Sequence, residues 1–379
     1  MNPLIPGFGF IFLASVAGGA FGLQYRVQRK YAVANTALLS MFFATIVVPL
    51  IVINFVLPGW TRAISATSMT TLATVFFFGF GWGLGAITYA FGFNMLGMAL
   101  GAAMIKGVSV ALGSGIPLIR RWHTVPSDAR LWTIAGILLL LVGTAVSGRA
   151  GILRERDTDA TPLEKTEEFP AQAPVTGGAI SVAEEVKVRP AMTVHHRPKG
   201  KVFWQGMMWC AISGLLSGCA NLGYDFGEPL EQAASHLGRL DLYATLIRWM
   251  PMYWGGITAL FIFMGGSMWR TQSWKNYFAP GSLRDFIVAS SMGGVHFLAQ
   301  IPYGIGAYYL GKLGTTVGFG VNLGMALIVA SGIGFMTGEW KGASKRATHN
   351  LYGGIAILIA AMAILAYGNS LAQGPAAGH

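Results

Sequence analysis

The chain has 379 residues, 54% of them hydrophobic and only 11% charged, where soluble domains carry roughly 25% charged residues; that balance excludes an ordinary soluble protein. A net charge of +11 points to nucleic acid in a soluble domain, but in a chain this apolar it points to Lys and Arg gathered in cytoplasmic loops. Both cysteines, Cys210 and Cys219, fall in one apolar stretch, which gives neither a disulfide framework nor a metal site.

About 20 apolar residues are needed to cross a bilayer as a helix. Ten stretches qualify: Leu4–Leu23, Ala34–Leu57, Leu72–Phe93, Met95–Ile119, Leu131–Ser147, Val202–Tyr224, Leu242–Gly265, Phe286–Tyr309, Thr315–Thr337 and Leu351–Tyr367. Lipid leaves no partner for an open backbone, so the expected architecture is an all-α integral membrane protein of ten transmembrane helices. No Lys or Arg precedes the first span, and it outruns a signal-peptide core; it is read as a retained helix. Turns at Asn94–Gly97 and Leu310–Gly314 join spans three to four and eight to nine very tightly.

The glycine-rich run from Gly79 to Gly97 has an echo. Tyr89, Gly92, Leu96 and Gly97 recur as Tyr303, Gly306, Leu310 and Gly311 at one constant offset, and Gly79 recurs as Gly293. Both copies close one span just before the next, as a duplicated five-helix unit requires, and duplicated membrane halves place a transport site between them. Residues 1–147 and 202–379 are read as the two repeats. Gly148–Lys201 lacks hydrophobic period and is read as a mostly disordered linker. His195-His196 within it has no Cys or carboxylate at ligand spacing. Loops on the linker's side hold most of the 26 Lys and Arg, which makes the linker cytoplasmic and puts both termini outside.

Polar residues inside apolar spans carry the chemistry. Ser213, Ser217, Asn221 and Asp225 recur every fourth residue and form a hydrophilic stripe on span six, for a cavity or a helix contact; Glu228 follows at the helix end. Lys106 lies in the middle of span four, where a charge is costly. It pairs with a carboxylate such as Asp225, binds an anionic or hydroxyl-rich substrate, or snorkels to an interface. Arg248, nearer a helix end, is expected to snorkel or to pair with Asp241 or Glu228. His296, Gln300 and Tyr303 share one face of span eight, and Trp82 and Tyr89 one face of span three. Rings with amide and hydroxyl groups suit a sugar pocket or plain aromatic packing; Asn322 on span nine is a candidate of the same kind. No Walker A, GxGxxG-opened βαβ unit or HExxH occurs, so uphill transport draws on an ion gradient. Asp225, then Glu228 and His296, are the titratable candidates for proton coupling.

Trp82-Gly83-Leu84-Gly85 with Tyr89 and Leu96-Gly97-Met98, then Arg149-Ala150-Gly151 and Gly338-Glu339-Trp340, resemble the L-rhamnose–proton symporter family of the drug/metabolite transporter superfamily. Gln300 after Gly293-Gly294 also matches. The resemblance runs over nearly the whole chain outside the linker. It implies two inverted five-helix repeats in the bacterial inner membrane and proton-driven uptake of L-rhamnose or a related sugar, with sugar, proton and lipid as partners, no cofactor and no enzymatic activity. Binding then falls to Trp82, Tyr89, Lys106, Asn221, Gln300, Tyr303 and Asn322. The chain departs from the family pattern at Lys106, at Asp225 (an amide there), at Glu228 (a basic residue) and at Ala34-Asn35 (an acid). A same-fold transporter or exporter of another metabolite, such as an acidic sugar, stays open, as does a non-transporting sensor or subunit.

Overall fold

The structure, a computed structural model, describes residues 3–20, 30–31, 33–96, 98–159, 201–235, 237, 240–336, 338 and 340–373. It is all-α, with no strand among the described residues. The long helices are α1 (Leu4–Ala20), α2 (Val33–Phe42, a π-helical turn at Phe43–Val47, then Val48–Val56), α3 (Met69–Leu96), α4 (Met98–Arg120) and α5 (Ser127–Asp159). They continue with α6 (Lys201–Phe226), α7 (a 3₁₀ start at Asp241–Arg248, Trp249–Leu260, a π-helical turn at Phe261–Gly265, then Gly266–Thr271), α8 (Leu283–Leu310), α9 (Gly314–Met336) and α10 (Lys345–Gln373).

Seven stretches among the described residues are long and apolar enough to cross a membrane. One of them, Leu283–Met336, contains both α8 and α9, the apolar part of α1 is short at Leu4–Ala17, and α6 is not among the seven. The polar stripe from Ser213 to Asp225 dilutes α6. Phe55, Phe77, Leu131, Leu298 and Ile359 all point outward and exposed, the reverse of a soluble protein's surface and what a lipid-facing surface needs. The chain is a multi-pass membrane protein.

The linker begins later than its composition implies. Residues from Gly148 to Asp159 continue α5 as helix. They are held there by contacts to the segment before α10: Arg154 lies over the Trp340 ring, and the Ser344 amide donates to Asp157 Oδ2 at 2.8 Å. Hydrogen bonds from Ser344 hold the Asp157 carboxyl below its usual range. Residues 160–200 of the linker, His195-His196 included, lie outside the described residues, as does Gly97 in the tight turn after α3. The matching turn after α8 passes through Gly311 at φ +65, a left-handed backbone that favours glycine.

The glycines of the Gly79–Gly85 run serve two neighbours at once, because alternate positions on a helix point to different sides. Gly79 and Gly83 meet α7: a Cβ on Gly79 would strike the Met252 carbonyl, and one on Gly83 would sit 2.5 Å from the Gly256 carbonyl oxygen. Gly81 and Gly85 meet Cys219, Leu216 and Ser217 of α6. Close backbone approach at small residues drives helix association in lipid, where apolar burial alone contributes little. Helix α8 makes the corresponding contacts with α1 and α2, and Gly293 lies against the Ser40 carbonyl.

The α3–α7 crossing therefore tolerates no side chain. Gly79→Ala and Gly255→Ala, the latter aimed at the Phe76 carbonyl, are each expected to destabilise the protein by about 1–3 kcal/mol through overpacking. Gly353→Ala, with open space around its Cβ, should leave stability unchanged or slightly raised. Thermal unfolding of the purified variants in detergent checks this; a wild-type transition for Gly79→Ala would contradict the crossing.

Candidate functional site

A cavity of about 90 Å³ lies where α3, α4, α6, α7, α8 and α9 meet, room for several waters at roughly 10–15 Å³ each. Part of its wall is aromatic. The Trp82 ring stacks on His296 (centroids 6.2 Å apart) and lies 6.0 Å from Tyr253, which stacks on Trp249 at 5.5 Å. Gly256 makes room for this arrangement, since a Cβ there would sit 2.7 Å from the indole. The polar part of the wall comes from Lys106 and Ser109 on α4, Ser217 and Asn221 on α6, Gln300 and Tyr303 on α8, and Asn322 on α9.

These polar groups divide into two sets. Asn221 is saturated: its Nδ2 donates to the carbonyls of Gly113 (2.6 Å) and Thr315 (2.9 Å), and its Oδ1 accepts from Tyr303 Oη (2.5 Å). One carboxamide thus ties α4, α6, α8 and α9 together. Asn322 Oδ1 accepts from Ser15 Oγ of α1 at 2.9 Å. The other set has nothing to bond. Trp249 Nε1 and Tyr253 Oη are buried with no hydrogen-bond partner. No protein hydrogen bond or ion pair reaches the side chains of Lys106, Ser109, Ser217 or Gln300 among the described residues. Buried donors without partners are rare in native proteins, yet Trp249, Tyr253, Lys106 and Ser109, all buried, and the half-buried Ser217 and Gln300 face this one cavity.

The structure brings Trp82, Lys106, Asn221, His296, Gln300, Tyr303 and Asn322 into this cavity. Tyr89 is not in it; two turns along α3 from Trp82, it packs in a separate apolar cluster with Leu96, Ile105 and Cys210. Asp225 and Glu228 also lie elsewhere, at the end of α6. Arg120 and Arg121 both bond the fully buried Asp225 carboxylate, Arg121 at 2.5 Å, and Thr315 Oγ1 donates to it at 2.5 Å. Arg121 also holds Glu228 at 2.9 Å. The pairing of Lys106 with Asp225 is thereby excluded, since Lys106 sits four turns of α4 from Arg120, roughly 21 Å at 1.5 Å per residue. Arg248 pairs with Glu231 at 2.5 Å, rather than with Asp241 or Glu228, and lies over the Tyr224 ring. Burial pushes the Glu231 carboxyl up.

Arg120 and Arg121 were legible only as loop charges. Their one sequence signal is position: two arginines directly after span four, at the bundle end where span six carries its acid. Trp249, Tyr253 and Ser109 gave no signal beyond being polar or aromatic in a span.

The family model described as L-rhamnose-proton symport protein (RhaT) matches residues 2–173. Curated proteins named L-rhamnose-proton symporter match nearly the whole chain. That of Pectobacterium atrosepticum is 22% identical over 378 residues, covering 97% of this chain and 98% of the relative. Those of Yersinia pestis and Escherichia coli are each 22% identical with the same coverage. No solved structure matches the chain.

The two sets of polar groups should separate under mutation. Asn221→Ala leaves the Gly113 carbonyl, whose helical partner position is Pro117, and the Tyr303 hydroxyl unpaired, at about 1–3 kcal/mol per orphaned group, so the ligand-free protein should unfold well below wild type. Gln300→Ala, which breaks no protein hydrogen bond, should unfold near the wild-type temperature. Equal destabilisation by both would contradict the division.

Proposed function

From the chain's kinship with the L-rhamnose–proton symporters, we propose that it is a secondary transporter, not an enzyme, that moves L-rhamnose or a related sugar together with a proton. The carrying observation is the cavity: aromatic faces beside six unpartnered polar groups. Sugars present apolar C–H faces and a rim of hydroxyls, and this lining offers a stacking surface and hydrogen bonds to both.

In this proposal the ten predicted spans all cross the inner membrane as two inverted repeats. The packing supports that reading. Helix α3 lies against α6 and α7, α8 lies against α1 and α2, and α4 pairs with α6 as α9 pairs with α1. The third helix of each half thus rests on the first two of the other. Helices α2 and α7 each carry a π-helical turn, a device frequent at functional sites. The cavity then lies at the repeat interface. The Lys and Arg balance puts the linker in the cytoplasm and the Asp225 cluster at the outer end. Single cysteines placed in the linker, in a background lacking Cys210 and Cys219, should resist membrane-impermeant thiol reagents in intact cells; ready labelling from outside would reverse the orientation.

In this reading Asp225, Arg120, Arg121 and Thr315 close the outer end of the pathway, one turn of α6 beyond Asn221. Asp225 is the first coupling candidate in this closure, while His296 is the coupling candidate inside the cavity itself. In proteoliposomes, an imposed inward pH gradient should drive accumulation of L-rhamnose, and Trp82→Ala and Gln300→Ala should each lower uptake at least tenfold. Asp225→Asn should lose the response to the gradient yet retain counterflow exchange. Gradient-driven accumulation by Asp225→Asn would move the coupling role to His296; no transport of any sugar by the wild type would end the proposal.

A further inference from the structure

The charge balance of the cavity narrows the substrate class. Among the described residues, no Asp or Glu lines it. Lys106, only 5% exposed, has no carboxylate opposite it, and among the described residues no ion pair reaches it. The neighbouring charges are spent elsewhere: Arg120 and Arg121 on Asp225 and Glu228, Arg248 on Glu231. A cation at mid-span without a counter-ion is costly, and such residues mark substrate pathways.

The hydrogen-bonding capacity leans the same way. Of the six unpartnered groups, Lys106 Nζ and Trp249 Nε1 can only donate, whereas the Ser109, Ser217 and Tyr253 hydroxyls and the Gln300 amide can also accept. A neutral sugar arrives with a hydroxyl hydrogen for every hydroxyl oxygen and needs acceptors as well. A carboxylate needs donors alone, and pairs best with a charged one.

We infer that the site takes a sugar bearing a carboxylate, with Lys106 as the residue that binds the acid group and sets the preference for it over a neutral sugar. The inference rests on the sugar-transporter reading and names the substrate class within it. The ring stacks on the Trp82 face. The carboxylate meets Lys106 and, one turn along α4, the Ser109 hydroxyl.

The test compares matched ligands on the purified full chain in detergent, by calorimetry and thermal shift: D-galactose against D-galacturonate, D-glucose against D-glucuronate, with L-rhamnose and acetate alongside. The wild type should bind each acid about tenfold or more tighter than its neutral partner, with acetate far weaker than either acid. Lys106→Met should remove that advantage, and Lys106→Arg, which keeps the charge, should restore part of it. The unfolding temperature and elution profile of each variant report whether it folds. The wild-type comparison needs no variant, so it decides even if both misfold. Binding of L-rhamnose with no preference for the acids overturns the inference and leaves the proposed function standing. An acid preference that survives in Lys106→Met also overturns it. Acetate binding as tight as the acids removes the sugar requirement and overturns it as well. If neither neutral nor acidic sugars bind, the transporter reading and the inference fall together.

Discussion

A polar side chain inside a membrane helix must find its partners within the protein, because hydrocarbon supplies none. Asn221 meets that constraint in a way on which the rest of the core depends. Its donors reach carbonyls at Gly113 and Thr315, and its acceptor takes the Tyr303 hydroxyl. Four helices are held at fixed separations by one carboxamide. The junction also separates two environments: towards the middle of the bundle lies the cavity, and one turn further along α6 lies the Asp225–arginine cluster. Loss of the junction would disturb both, since Thr315 bonds Asn221 through its carbonyl and Asp225 through its hydroxyl.

Glycine sets how near the helices come before such bonds can form. At Gly79, Gly83 and Gly255 the α3 and α7 backbones leave no space for a Cβ. That proximity pushes the Trp82 indole over Gly256 and into the stack with Tyr253 and His296. Small residues thus do two jobs: they supply the helix contact, and they aim the large ring between them at the cavity.

How much of this was legible in the sequence follows from the range of each signal. The all-helical membrane character is local and could be read directly. So could the polar positions on one helix face, because a helix fixes which residues share a side; that is why seven of the candidates meet in one cavity. Two kinds of information were not local. Partner choice was one: Asp225 lies on the same stripe as Asn221, yet arginines written as loop residues reach back to it. Saturation was the other. Nothing in the spelling of the chain tells that Asn221 and Tyr303 bond each other while Gln300 bonds nothing among the described residues, although all three are polar residues at similar depth. Tyr89 failed for a third reason. It shares a face with Trp82, but two turns of helix carry it from the α7 contact into the cluster with Ile105 and Cys210.

That last difference has a consequence for the echo between the halves. Tyr89 and Tyr303 occupy equivalent positions by sequence, yet Tyr89 is packed among apolar side chains and Tyr303 faces the cavity with its hydroxyl on Asn221. At the positions equivalent to His296 and Gln300 stand Trp82 and Ala86. By the constant sequence offset, the Gly293–Gly311 stretch is the polar copy and the Gly79–Gly97 stretch the largely aromatic and apolar one. A symmetric ligand would gain from matched halves. An asymmetric one, with a C–H face at one side and hydrogen-bonding groups at the other, gains from this division, and the division also fixes which way round it sits. Under the proposed two-repeat arrangement, the fold would supply the place between the halves, and the residues that differ between the copies would supply the orientation.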